Sequence, residues 1–138
     1  MLRVELVLLD THALVWVVEG SARLGRRVAR LADGALARDR LAVASISFWE
    51  IAMLVDRGRL AVESSVHEWR LRVLGLGVQE IPLTGDVAIT AARLTDMHGD
   101  PADRIIVATC MASAATLVTA DDRILAWPGR LPRQDARR

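Results

Sequence analysis

Short apolar runs alternate along the chain with stretches whose apolar residues recur at helical spacing. Residues 4–9 form a β-branched-containing apolar run that stops at Asp10, the pattern of a buried parallel strand ending in a carboxylate. Residues 11–19 read as a helix, broken by Gly20 and Ser21. Leu24, Val28 and Leu31 recur at helical spacing until Asp33 and Gly34 close the segment, which predicts an amphipathic helix with an Arg-rich outer face. Residues 41–44 predict a second strand, and Ser47 opens a helix through Ile51, Met53, Leu54 and Val55 to a stop at Gly58. A helix over 65–74, a short strand over 78–82 and a helix over 86–97 follow. Pro101 suits a helix start, and the nearly all-apolar stretch 105–115 must be covered on most sides. Residues 116–119 predict the last strand. Such alternation predicts an α/β fold, a three-layer α/β/α sandwich with a central parallel sheet. With no repeat or linker, a single domain over residues 1–130 is expected, followed by a loosely ordered Arg-rich end over 131–138.

Composition narrows the chemistry. Of the 138 residues 52% are hydrophobic but only 4% aromatic, so the core must be built from Leu, Val, Ile and Ala. Cys110 is the single cysteine and lies in an apolar stretch, where it reads as a small buried hydrophobe in a reducing, cytoplasmic setting. The N-terminus lacks a secretory pattern, and no apolar run reaches the roughly 18 to 20 residues of a membrane span, so a soluble protein is expected. A net charge of +1 gives no global attraction to nucleic acid. Every Lys/Arg position is Arg, which removes the P-loop lysine and lysine-based covalent catalysis.

The acids carry more information. In open parallel sheets ligands bind outside the carboxyl ends of the strands, and Asp10 and Asp121 both fall just after one. Glu50 lies early in the helix after the second strand, while Asp100 and Asp103 lie at the start of the helix preceding the last strand. Gathered at one edge, carboxylates about 4 Å apart repel by on the order of 4 kcal/mol at an effective dielectric near 20, so something positive should sit among them. Mg2+ and Mn2+ favour such open oxygen sites and activate water for phosphodiester hydrolysis. Each acid also has a structural explanation. Asp10 can cap the following helix, and Ser47-Phe48-Trp49-Glu50 matches a capping box. Asp100 before Pro101 is a natural N-cap, Asp103 suits the helix dipole, and Asp121 and Asp122 share that role at another helix start.

With these segments in view, nearly the whole chain resembles the PIN-domain family, and within it the VapC-like toxins of bacterial toxin–antitoxin pairs. LLDTHALVW, residues 8–16, resembles the family's first acidic segment, with Asp10, and SISFWEIAML, residues 45–54, the second, with Glu50. GDPADRIIVATC, residues 99–110, is similar to the third, with Asp103 at the metal-ligand position and Asp100 accompanying it. LVTADDRIL, residues 117–125, resembles the fourth, with Thr119 as the hydroxyl and Asp121 as the acid. The resemblance implies an Mg2+- or Mn2+-dependent endoribonuclease, often dimeric, silenced by a cognate antitoxin whose tail enters the cleft, with transfer RNA or ribosomal RNA as substrate. His12 departs from the small hydroxyl residue common after Asp-Thr, and either contacts substrate or faces solvent beside the cleft. His67 and His98 read as surface residues. Arg104, beside Asp103, either grips RNA phosphates or orients the carboxylate. Trp16 and Trp49 read as core or partner-facing.

Rival readings fit less well. An aspartyl phosphatase or a phosphoacceptor receiver needs a lysine, and the phosphatase also needs a second acid two residues after Asp10. A flap-type DNA nuclease shares the chemistry, but the chain lacks DNA-binding insertions. The alternative that keeps the fold is a catalytically inactive PIN-fold protein acting through an antitoxin or RNA.

Overall fold

The computed structural model describes residues 5–138, so the start of the expected first strand, at Val4, lies outside the described residues. Five parallel strands form one sheet in the order β3-β2-β1-β4-β5. β1 (Val7–Leu9), β2 (Leu41–Ala44) and β4 (Thr116–Thr119) are buried throughout. The outer strands are β3 (Gln79–Ile81) and β5 (Arg133–Asp135). In register, Leu9 lies between Val43 and Val118.

The pleat sends alternate side chains of β1 to opposite faces. Val7 and Leu9 join a core with α1 (Thr11–Glu19), α2 (Arg26–Ala37), α3 (Ile46–Asp56) and α4 (Val66–Gly75). Leu8 joins the other, built on α6 (Pro101–Ala112) with Ile124 of α7 (Asp122–Leu125). α5 (Gly85–Ala92) packs on α6 through Val87, Ala91 and Ala108. The chain thus forms the three-layer α/β/α sandwich with a central parallel sheet. In the first core the fully buried Trp69 meets Phe48 edge-on, at 6.3 Å between centroids, and donates its indole N–H to Glu19 at 2.9 Å.

Several boundaries differ from the sequence expectation. α2 runs through Asp33 and Gly34 to Ala37, because buried Ala32 and Ala35 hold the last turns to the core, while a helical glycine costs only about 1 kcal/mol. Ser45, not Ser47, precedes α3. α5 stops at Ala92 rather than continuing to Met97, since Arg104 takes the carbonyls of Ala91 and Ala92 at its end and that of Leu94 beyond it.

The Arg-rich end is not loosely ordered. β5 pairs with β4 through Leu117, Val118 and Thr119, and Ala136 beyond it is fully buried. Gly25 N–H donates to the Ala136 carbonyl at 2.8 Å and Val28 N–H to that of Arg138 at 3.1 Å. The tail therefore occupies backbone donors at the start of α2 that a helix leaves unsatisfied. A Cβ at Gly25 would overlap the Arg138 backbone. Gly25→Ala is therefore expected to displace the tail and destabilise the fold by about 1–3 kcal/mol. Urea denaturation checks this, with faster hydrogen exchange at Ala136; unchanged stability and exchange would show that the tail is not tied down there.

Candidate metal centre

The chain runs from β1 to β2 and β3 on one side, then returns to place β4 on the other side of β1. The point where the order reverses opens a crevice beyond the carboxyl ends of β1 and β4. Asp10 follows β1 and Asp121 lies just past β4. A cleft of about 440 Å³ sits there, lined by Asp10, Glu50, Asp100, Asp103 and Asp121 with His12, Trp16, Arg123 and Arg137 among others.

Buried hydrogen bonds fix the floor. Asp10 Oδ1 accepts from Ala13 N–H at 2.9 Å, so the capping role is real, and its other oxygen accepts from the Thr119 hydroxyl. Thr119 Oγ1 accepts in turn from Asp121 N–H at 3.0 Å. Next to Asp10, Thr11 donates its hydroxyl to Ser47 Oγ at 3.0 Å, which docks the first turn of α3 and sets the position of Glu50 one turn on. Ser47 is therefore committed to Thr11, and no capping box ties up Glu50. Asp10 is 7% exposed. A helix cap contributes about 1 kcal/mol, whereas burying a carboxylate costs several, so capping alone does not account for its placement.

Two groups of side chains bring ligand atoms within 4.8 Å of one another: Glu50, Asp100 and Asp103, and His98, Asp103 and Asp121. Asp103 belongs to both. Asp10 stands outside both groups but lines the same cleft. Asp100 caps α6 by accepting from Asp103 N–H at 3.2 Å and still offers an oxygen to the first group. Asp103 Oδ2 lies 2.7 Å from His98 Nε2. The all-oxygen group of Glu50, Asp100 and Asp103 fits a hard divalent cation such as Mg2+ or Mn2+.

Electrostatics point the same way. Burial, then the neighbouring Asp100, Asp121 and Glu50 carboxylates, push Asp103 up to about 7 against the hydrogen bond from His98. Burial also raises Asp10 above the usual carboxylate range, although Thr119 and the Ala13 amide oppose it. Burial would raise Asp121 too, but the hydrogen bonds and charge of Arg123 outweigh it and hold that carboxyl below its ordinary value. Arg123 Nη2 lies 3.3 Å from Asp121 Oδ2 and 3.6 Å from Asp103 Oδ2. With a side chain 62% exposed, it offers only the modest, solvent-screened attraction of a surface pair. Each close carboxylate pair costs on the order of 4 kcal/mol, so the cluster is short of positive charge.

His98 is not a surface residue as expected: its side chain is 16% exposed and is held against Asp103. No spacing motif in the sequence marks it. Arg104, expected either to grip RNA phosphates or to orient Asp103, is not among the residues lining the cleft. All five of its N–H groups go to backbone carbonyls, of Ala91, Ala92, Leu94, Met97 and His98. It shapes the 93–98 loop that delivers His98. The cations that do face the cleft are Arg123 and Arg137, which the sequence reading passed over. His12 is exposed at its rim, and Trp49 is 53% exposed while Trp16 lines the cleft.

A parallel sheet with an acid-lined crevice at its switch point defines an α/β domain with a candidate cation site. The PIN domain family matches residues 7–128, and the chain belongs to it. It is VapC-like: it is 38% identical to Ribonuclease VapC22 of Mycobacterium tuberculosis over 119 residues, 86% of this chain and 88% of that protein. Among solved structures, VapBC2 from Rickettsia felis bound to a promoter DNA fragment has a TM-score of 0.67 at 17% identity, covering 94% of this chain and 97% of that one. A toxin–antitoxin complex from Klebsiella pneumoniae has a TM-score of 0.56 at 22% identity, over 87% and 90%. These two likenesses are of fold.

Asp103 makes a pH prediction for the cation-free protein. Its value in the fold, about 7, lies above the ordinary 3.8, so the folded state retains a proton that the unfolded chain releases. The stability this contributes is full below about pH 4 and is lost as pH rises toward and through about 7. In EDTA, thermal unfolding midpoints are expected to fall between about pH 5 and about pH 8, with Asp103→Asn flattening the fall. An unflattened fall would assign the dependence elsewhere.

Proposed function

We infer that the protein is a metal-dependent endoribonuclease, the toxin of a toxin–antitoxin pair, hydrolysing phosphodiester bonds of transfer or ribosomal RNA with Mg2+ or Mn2+. The observation that carries this reading is the convergence of Glu50, Asp100, Asp103 and Asp121 on two ligand groups that share Asp103. Glu50, Asp100 and Asp103, the all-oxygen group, would hold the cation, with Asp121 joining the set through Asp103. Asp10, which lines the same cleft, would complete the acid set, kept in one orientation by Thr119. A bound divalent cation lowers the pKa of a coordinated water and offsets charge on the phosphate. In the reaction the water oxygen bonds to phosphorus, one P–O ester bond breaks, and the leaving oxygen ends protonated. Arg123 and Arg137, on the cleft wall, suit forked hydrogen bonds to phosphate oxygens. His12, exposed at the rim, is available to the same strand.

A cognate antitoxin is the partner this reading requires, its tail entering the cleft, and a homodimer or a larger toxin–antitoxin assembly is the form expected. The 38% identity to a protein named a ribonuclease supports the activity. The fold shared with a solved toxin–antitoxin complex supports the partnership. No helix among the described residues is long and apolar enough to cross a membrane, and the cytoplasm, where RNA is at hand, is the proposed location.

Purified, antitoxin-free protein is expected to cut a cellular RNA pool at discrete positions with Mn2+ or Mg2+, to stop in EDTA, and to leave matched DNA intact. Asp10→Asn and Glu50→Gln should each slow cleavage on the order of 100-fold or more. Undiminished cleavage by both variants would refute the shared-acid assignment. Inactivity of folded, metal-loaded protein across varied RNAs would instead favour a non-catalytic PIN-fold binder.

A further inference from the structure

The exposed side of α2 carries Arg26, Arg27 and Arg30 around a groove of about 650 Å³, completed by Val28, Leu31 and Gln134. Among the described residues none of these three arginines has an ion-pair partner, whereas Arg70, Arg123 and Arg137 each do. Nor are they spent on backbone carbonyls, as Arg104 and Arg133 are. The groove thus gathers three guanidiniums outside any ion pair on a chain whose net charge is only +1, and such a surface recruits polyanions.

Its placement is specific. Gln134 of β5 lines the groove, and Arg137, three residues on, lines the acidic cleft. Three residues of extended chain span at most about 10 Å, so the groove and the cleft flank one short segment, itself fixed to β4 and α2. The lining favours a nucleic-acid backbone over a protein. It has no aromatic residue and one exposed apolar side chain, Leu31, whereas protein interfaces centre on buried aromatic or aliphatic anchors. Guanidiniums and an amide without rings read phosphate and sugar rather than base edges.

We propose that this groove is a second RNA-binding site, holding the phosphates of the substrate strand where it leaves the cleft over β5. The proposal rests on the ribonuclease reading and adds a direction to it. The strand exits over β5 rather than β3, and its grip there is independent of sequence.

The test uses the full chain in an Asp10→Asn background, with fluorescence anisotropy of labelled RNAs of about thirty and about six nucleotides across a salt series. Arg26→Ala/Arg27→Ala/Arg30→Ala alters only exposed helical positions and introduces a better helix former. Circular dichroism and the thermal midpoint verify its fold, and the matching triple Lys variant restores the charge. The Ala variant is expected to bind the long RNA about tenfold or more weakly, and to lower its log–log salt slope by about 2, at about 0.7 per phosphate contact on a single strand. The short RNA should bind as before, and the Lys variant should recover most of the loss. Unchanged long-RNA affinity and slope, while the otherwise unsubstituted protein still cleaves RNA, would overturn the groove and leave the ribonuclease reading intact. Equal losses for both RNAs would also overturn it. So would a loss confined to an acidic antitoxin peptide, which would make the groove a protein-docking site. An unsubstituted protein that neither binds nor cleaves RNA would remove both readings together.

Discussion

The hydrogen bond from the Thr119 hydroxyl to Asp10 is the interaction on which the site depends. It joins the end of β4 to the residue after β1 across the point where strand order reverses, and it fixes a buried carboxylate that the helix cap alone does not justify. Thr119 also receives the Asp121 amide, and the adjacent Thr11 reaches Ser47 to seat α3 beneath Glu50. Two threonine hydroxyls thus tie three acidic segments to a sheet whose central strands are fully buried. The fourth segment arrives on α6, which caps itself with Asp100.

What this frame assembles is a surplus of negative charge. Asp103 carries the clearest mark of it, lifted to about 7 by burial and by three neighbouring carboxylates. Arg123 is positioned to relieve part of the repulsion but is too exposed to relieve most of it. Under the proposed function a divalent cation held through Asp103 would offset the imbalance and supply an activated water for phosphodiester hydrolysis. The proposed chemistry would then use the same carboxylate crowding that costs the cation-free fold stability as pH rises through about 7.

Much of this was legible in the sequence, because strand ends in a parallel sheet are both apolar-run boundaries and ligand sites. Asp10 and Asp121 stand out for that reason, and the alternation of runs gave the layered fold. Other features depend on packing that no local pattern encodes. The S-x-x-E signature at Ser47 suggested a capping box, yet tertiary contact with Thr11 claimed the serine. Arg104 adjoins Asp103 in sequence, but the roughly 100° turn per helical residue points it the other way, into a ring of carbonyls. His98 lies on the loop whose carbonyls that ring engages, and Asp103 holds its imidazole in the site. β5 reads Arg-Gln-Asp and sits at a sheet edge, where strands need no apolar run, so its polar sequence passed for a loose end.

The central claim is that divalent cation is held through Asp103, and direct titration of Mn2+ into metal-free protein by calorimetry at neutral pH tests it most directly. The account predicts saturable binding that is lost in Asp103→Asn, weakened in Glu50→Gln, and accompanied by proton release as the raised Asp103 carboxyl ionises. Binding that is undiminished in folded Asp103→Asn would contradict it.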